Sequence, residues 1–132
     1  MKIDVAFPGG MRVDAQLGPH TLHTDQPPAL GGDASAPSPY QVFLGALATC
    51  AGFFVARFCQ TRAIPLDGIT LAVVVADDPA THLAAEVRFE LTLPPSFPEK
   101  YRGSLERVID QCSVKRTIAS PPLFTTVVAA AT

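Results

Sequence analysis

The stretch PSPYQVFLGALATCAGFFVARFCQTRAI, residues 37–64, is the most apolar part of this chain and decides its fold. Ser38 is a favourable N-cap residue, and Pro39 suits the first helical position, where its missing N–H has no intrahelical partner. The stretch therefore predicts a helix that runs to about Arg62, with Pro65 preventing a longer one. Because this helix is apolar nearly all round, we expect cover on several sides, in part from a second subunit.

The same helix raises the question of a membrane. Its uncharged run from Val42 to Ala56 is 15 residues long, ends at Arg57, and is shorter than the roughly 20 residues that cross a bilayer. The N-terminal MKIDVAFPGGMRVDA alternates apolar and polar residues and lacks the apolar core of a signal peptide. Three cysteines are too few for a secreted disulfide framework. We therefore predict a cytoplasmic protein that does not associate with membranes.

Composition places the chain among single-domain globular proteins. Its 132 residues are 48% hydrophobic and 17% charged, which is enough apolar material for the core of a single domain comprising residues 1–132. The formal net charge is -2, and the ten basic residues are scattered along the chain. A nucleic-acid-binding surface would need clustered positive charge, so we do not expect nucleic acid as a partner.

Short strands and turns are predicted before the helix. PGG and LGP separate three segments of strand character, which indicates a β-meander; the segments are Met1–Phe7, Met11–Gln16 and His20–Thr24. The Pro- and Gly-rich segment from Asp25 to Pro39 is predicted to be an irregular surface loop. Within it, Asp25 and Asp33 are interpreted as solvated turn residues.

The chain after the helix predicts strands followed by helices. Leu66–Ala76 and His82–Leu93 form two strands around the turn sequence DDPAT, with Val87, Phe89 and Leu91 on one face and Glu86, Arg88 and Glu90 on the other. Lys100–Asp110 forms an amphipathic helix with Leu105, Val108 and Ile109 on one stripe. SVKRTIAS adds one or two helical turns, and Leu123–Val128 a last strand. This order of elements predicts an α+β fold.

The three cysteines differ in their local setting. Cys50 and Cys59 lie on opposite sides of the predicted helix and about 13.5 Å apart along its axis, so they cannot bond to each other. Cys59 is interpreted as a packed core residue. Cys112 precedes a helical turn and the cations Lys115 and Arg116, which would favour a thiolate, but the residues alone favour a packed structural thiol here. Cys50 has no local reason for a lowered pKa, but its small neighbours leave room for a substrate or a second sulfur.

The sequence contains no pattern for a metal or another cofactor. The three histidines are dispersed, and His20 and His23 would face opposite sides of a strand, whereas a zinc site needs convergent ligands. The loop glycines lack a phosphate-binding fingerprint. We therefore predict no metal and no cofactor.

The combination of SPYQVFLGALATCAG, GI at the start of a long strand, PEKY and QCSVKRTI resembles the OsmC/Ohr family of small peroxide-reducing proteins. The resemblance implies antiparallel sheets packed on a long buried central helix, assembled as an intertwined homodimer. It also implies that Cys50 attacks an organic hydroperoxide, that Cys112 resolves the resulting sulfenic acid as a disulfide, and that a thiol reductant restores both thiols.

The resemblance also assigns candidate substrate-binding residues. Peroxidases of this family carry a glutamate in the first turn of the helix and an arginine in the N-terminal sheet, which together polarise thiol and peroxide. Here the glutamate position falls on Tyr40, with Gln41 beside it, and GGMR places Arg12 one residue later than the family's arginine. The alternative function is an OsmC-like protein that binds a small apolar ligand and has no peroxidase activity.

Overall fold

The structure is a computed structural model that describes residues 1–131. Its elements follow the predicted α+β order, with single 3-10 turns at Pro28–Leu30 and Glu99–Tyr101. The strands and helices are β1 (Asp4–Gly9), β2 (Arg12–Leu17), β3 (His20–Thr24), α1 (Pro39–Gln60), β4 (Thr70–Asp77), β5 (Ala84–Thr92), α2 (Arg102–Ile109) and α3 (Ser113–Ala119). The chain forms two compact units, Met1–Ala46 and the part from Leu47 onward.

The first unit contains a three-stranded antiparallel sheet in the order β1-β2-β3, which confirms the predicted meander. Gly10 and Gly18 occupy the turns between the strands with φ of +59° and +60°, a conformation that glycine adopts without steric cost. The pairing of β1 with β2 shifts in register between Ala6 and Gly9, and Gly9 pairs with Arg12.

Asp25 organises the loop that follows β3. Its side chain is 1% exposed and accepts hydrogen bonds from the backbone N–H groups of Gln26, Asp33 and Ser35 and from the Ser35 hydroxyl. These hydrogen bonds, those from Ser35 foremost, lower the pKa of Asp25 to about 2. The prediction of a solvated Asp25 is therefore wrong, because turn composition does not show that a carboxylate is enclosed by its own loop. Asp33 is exposed, as predicted.

Helix α1 begins as predicted and ends two residues early. The Ser38 hydroxyl accepts from the Gln41 N–H at 3.2 Å, and Gln41 Oε1 accepts from the Ser38 N–H at 2.9 Å, which is a capping box. At the other end, the N–H of Ile64 donates to the carbonyl of Cys59 at 2.9 Å. Ala63 there adopts a φ of +52°. This left-handed residue turns the chain away and ends the helix.

The chain buries only one stripe of α1. Within the second unit the buried side chains are spaced about one turn apart at Leu47, Ala51, Val55 and Phe58, whereas Phe53 is 55% exposed. Cover on several sides is therefore not provided by the described chain itself. The helix has 22 residues, and an 18-residue window within it has a mean hydropathy of 1.9, with 28% of that window buried, so the helix is long and apolar enough to cross a membrane. A core helix meets the same criterion.

The second unit pairs β4 with β5 in an antiparallel ribbon. Along β5 the side chains of Val87, Phe89 and Leu91 are half-buried, while Glu86, Arg88 and Glu90 are exposed, which confirms the predicted alternation. Leu105 and Ile109 of α2 form one core cluster with Phe97 and with the buried α1 residues from Ala51 onward. The predicted apolar stripe of α2 is thus confirmed, and it holds α2 against α1.

The predicted strand at Leu123–Val128 is wrong. No regular element follows Ala119 within the described residues. The apolar side chains there are 85–93% exposed, namely Leu123, Phe124, Val127 and Val128. A strand needs a neighbour that satisfies its backbone hydrogen bonds, and the chain places no strand beside this segment.

Candidate functional site

Cys50 and Cys112 come together in the second unit. Cys50 lies in the middle of α1, and Cys112 is the N-cap residue of α3. Because the core holds α2 against α1, the turn that follows α2 brings Cys112 to the same part of α1. Its Sγ lies 4.0 Å from the carbonyl oxygen of Leu47, and its thiol donates a hydrogen bond to the sulfur of Cys50.

The surroundings of Cys50 favour its thiolate. Its half-buried sulfur accepts hydrogen bonds from the Cys112 thiol, which has the largest effect, and from the backbone N–H groups of Val114 and Ser113. Together they lower the pKa of Cys50 below its ordinary value of 9.0, against the opposing effect of burial. The expectation that Cys50 has no local reason for a lowered pKa holds, since all three groups that lower it lie more than sixty residues further along the chain.

Cys112 is shifted in the opposite direction. Its side chain is fully buried, and burial, followed by the hydrogen bond with Cys50, raises the pKa of the Cys112 thiol. The Lys115 N–H donates to its Sγ at 3.5 Å, which lowers the pKa by less than burial raises it. The Lys115 ammonium instead pairs with Asp110. The interpretation of Cys112 as a packed thiol therefore agrees with its burial, and the thiolate that the following cations would favour is not what its surroundings produce.

Cys59 belongs to the core. Its side chain is fully buried in the cluster that includes Val55 and Leu105, and burial raises the pKa of its thiol. The prediction of a packed cysteine is confirmed. Cys59 therefore serves as an internal control for the reactivity of the other two thiols.

The remaining candidate residues lie in the first unit. The Arg12 guanidinium donates to the carbonyl of Pro8 at 3.4 Å. The Tyr40 ring stacks on Phe43 with 6.0 Å between ring centroids, and Gln41 uses its amide oxygen in the helix cap. The structure thus brings the two thiols together in one unit, and it places Arg12, Tyr40 and Gln41 in the other.

Sequence reasoning missed the backbone donors at the start of α3. The N–H groups of Ser113 and Val114 reach Cys50 only because the fold returns the chain to α1. A local signal existed, since a cysteine before a short helical segment can serve as its N-cap, but that signal pointed to Cys112.

Among residues 1–131, no group of three histidine, cysteine or acidic side chains is arranged to hold a metal ion.

The described chain combines an α+β fold, two antiparallel sheets and a long apolar helix that carries Cys50, with Cys112 packed against that helix. A family model described as OsmC-like protein matches residues 32–127. The chain belongs to the OsmC-like protein family, as its sequence motifs predicted. No curated protein is significantly similar to it in sequence.

Solved structures support the fold. A putative osmotic stress induced and detoxification response protein from Psychrobacter arcticus superposes with a TM-score of 0.74 at 20% identity, covering 89% of this chain and 87% of that chain. An organic hydroperoxide resistance protein OsmC from Legionella pneumophila, also described as a predicted redox protein and regulator of sulfide bond formation, gives a TM-score of 0.53 at 18% identity, with 89% of each chain covered. At these identities the comparison bears on the fold.

Proposed function

We propose that this protein reduces organic hydroperoxides with Cys50 as the attacking thiol and Cys112 as the resolving thiol. The observation that carries the proposal is the placement of the two thiols in contact, with Cys112 against the part of α1 that contains Cys50 and the N–H groups of Ser113 and Val114 directed at the Cys50 sulfur; these contacts lower the pKa of Cys50. The thiolate is the nucleophile, so the reaction starts at Cys50. Cys50 is also only half-buried, whereas Cys112 is fully buried.

Attack and resolution balance as two displacement steps. The Cys50 thiolate attacks one peroxide oxygen, the O–O bond breaks, and the departing alkoxide takes up a proton to become an alcohol. Cys50 is then a sulfenic acid. The sulfur of Cys112 displaces its hydroxyl, which forms the Cys50–Cys112 disulfide and releases water. Two electrons from an external dithiol reductant return both cysteines to thiols.

Arg12, Tyr40 and Gln41 are the substrate-binding residues of this proposal. They occupy or adjoin the family's arginine and glutamate positions. An arginine can hydrogen-bond both the thiolate and a peroxide oxygen, and a tyrosine hydroxyl can do the same without charge. Gln41 uses its Oε1 to cap α1, which leaves its amide N–H₂ group as the donor that it can offer.

The proposal includes an intertwined homodimer in the cytoplasm. Phe53 of α1 and the apolar segment from Leu123 to Val128 are exposed in the isolated chain, and apolar surface of this kind is usually covered by a partner. A second copy supplies that cover without any further protein. A cytoplasmic setting suits a reaction cycle that starts from free thiols.

The test is consumption of cumene hydroperoxide with excess dithiothreitol, monitored for the native protein and three variants. Cys50→Ser is expected to abolish turnover, since no sulfenic acid can form. Cys112→Ser is expected to give a single turnover and then stall or proceed slowly. Cys59→Ser is the matched control, and its activity is expected to stay within about twofold of native because its thiol only packs in the core.

Full activity in Cys50→Ser would overturn the mechanism. A native protein without turnover, whose thiols remain titratable and do not form a disulfide on mild oxidation, would instead favour the alternative of a small apolar ligand-binding protein.

A further inference from the structure

A cavity of about 450 Å³ lies between the C-terminal part of α1 and helix α2. Its volume falls within the range of small-molecule sites. Three arginines line it, Arg57, Arg62 and Arg107, and none of its lining residues is acidic. All of these residues belong to the second unit.

The cavity concentrates the chain's uncompensated positive charge. Among the ten basic residues of the sequence, four form ion pairs with carboxylates between described residues, namely Lys2, Arg88, Arg102 and Lys115. Half of the remaining six line this one cavity, although the whole chain carries a net charge of -2. The field inside the cavity therefore attracts anions.

Two of the three guanidinium groups are held in place by local contacts. Arg62 lies over the ring of Phe58, with Cζ 3.7 Å from the ring centroid, and donates to the hydroxyl of Thr61 at 3.1 Å. Arg107 donates to the hydroxyl of Ser104 at 3.1 Å. Side chains that are already ordered lose less entropy when a ligand binds.

The rest of the lining is apolar or uncharged. Phe54, Phe58 and Val108 supply apolar surface beside the guanidinium groups. A ligand that matches both parts has an apolar body and one anionic head group. Carboxylate and phosphate groups fit the fork of an arginine through paired hydrogen bonds.

We propose that this cavity binds an organic anion, a carboxylate or phosphate ester with an apolar body, through Arg57, Arg62 and Arg107. The site is separate from the thiol chemistry, but it adjoins the thiols. Phe54 lies one helical turn after Cys50, and Gln111 immediately precedes Cys112.

The experiment compares ligands of one shape and different charge. Naphthylacetate and naphthyl phosphate are titrated into the native protein by calorimetry, beside the neutral naphthylacetamide. At least one anion is expected to bind about tenfold or more tightly than the amide, because a hydrogen bond to a charged group contributes that much. Equal binding of the amide and both anions, or no binding of either anion, overturns the proposal.

Variants locate the site. Arg62→Gln and Arg107→Gln are each expected to weaken anion binding by about tenfold, whereas Arg107→Lys retains part of the affinity through its charge. Arg116→Gln is the matched control, since Arg116 is exposed, lies outside this cavity and forms no ion pair with a described residue. Weakening by Arg116→Gln equal to that by Arg62→Gln would show non-specific charge attraction and overturn the proposal.

Binding is also measured with Cys50→Ser, which is expected to bind the anion as the native protein does. This variant separates the two proposals, because loss of peroxidase activity leaves the calorimetric result unchanged. Amide chemical shifts from Ser104 to Gln111 are expected to move on titration in both proteins. Anion binding without any shift in this segment would place the ligand elsewhere and overturn the assignment.

Discussion

Cys112 has two separable roles in the proposed reaction. As a neutral thiol it donates a hydrogen bond that lowers the pKa of Cys50, and as a nucleophile it closes the disulfide. A substitution at Cys112 therefore changes the reactivity of Cys50 as well as the fate of its sulfenic acid. Serine keeps a donor at this position, whereas alanine removes it.

We predict that Cys112→Ala raises the pKa of Cys50 and that Cys112→Ser raises it less. Below the pKa of Cys50 the thiolate fraction falls as that pKa rises, so Cys112→Ala is expected to slow iodoacetamide alkylation of Cys50 by about tenfold at pH 7. The measurement is the alkylation rate of Cys50 against pH, resolved by mass spectrometry. Equal pH profiles for the native protein and Cys112→Ala would contradict the hydrogen bond.

At this scale the sequence predicts identities better than environments. The residues of the thiol pair were found, because the resemblance singles out two cysteines 62 positions apart, 112 minus 50. The sequence does not predict the direction of their pKa shifts, because the backbone donors to Cys50 lie in α3, which is distant from Cys50 in sequence. The prediction that Asp25 is solvated is wrong for a related reason, because the groups that donate hydrogen bonds to its carboxylate include Ser35, ten residues further along the chain.

At the scale of elements, sequence patterns predict correctly those features that depend only on neighbouring residues. The cap of α1 involves only Ser38 and Gln41, and the alternation of β5 depends on its own side chains. Local signals could not show that Leu123–Val128 forms no strand. Its residues have strand character, but a strand also requires a neighbouring strand, which the described chain does not place beside Leu123–Val128.

The end of α1 offers a stabilising substitution. Ala63 adopts a φ of +52°, where a side chain costs about 1–2 kcal/mol and glycine is favoured. Glycine also gains entropy in the unfolded chain, which offsets part of this stabilisation. The net effect of Ala63→Gly is therefore expected to be an increase of about 0.5–1 kcal/mol in the free energy of unfolding. Urea unfolding of the native protein and the variant measures the difference.

The matched control is Ala56→Gly, within the same helix. Ala56 lies in the helical interior, so glycine there is expected to lower the free energy of unfolding by about 1 kcal/mol. A decrease for Ala63→Gly as large as that for Ala56→Gly would contradict the assigned helix end.

At the scale of the whole molecule, the exposed apolar residues predict self-association. The native protein is expected to sediment as a dimer, and its melting temperature is expected to rise with protein concentration, since association stabilises only the folded chain. Phe124→Ser is expected to shift the equilibrium toward monomer. Phe124 is 85% exposed and has no cover from the described chain.

Leu30→Ser is the control for that experiment. Leu30 is also apolar and 64% exposed, but it lies in the loop before α1, so its replacement is expected to leave the dimer intact. Sedimentation velocity over a hundredfold range of concentration distinguishes the outcomes. A native protein that remains monomeric over this range would rule out the dimer.

The contrast in burial between the two sulfurs bears on how the oxidised protein would be recycled. Cys112 is fully buried and Cys50 only half-buried, so in the proposed cycle an incoming reductant would form its mixed disulfide with Cys50. Cys112 then departs as the leaving group, and a thiol with a raised pKa is a poor one. In the proposed cycle, the raised pKa of Cys112 would slow the return of the disulfide to two thiols, so the disulfide form would be expected to persist while peroxide is present.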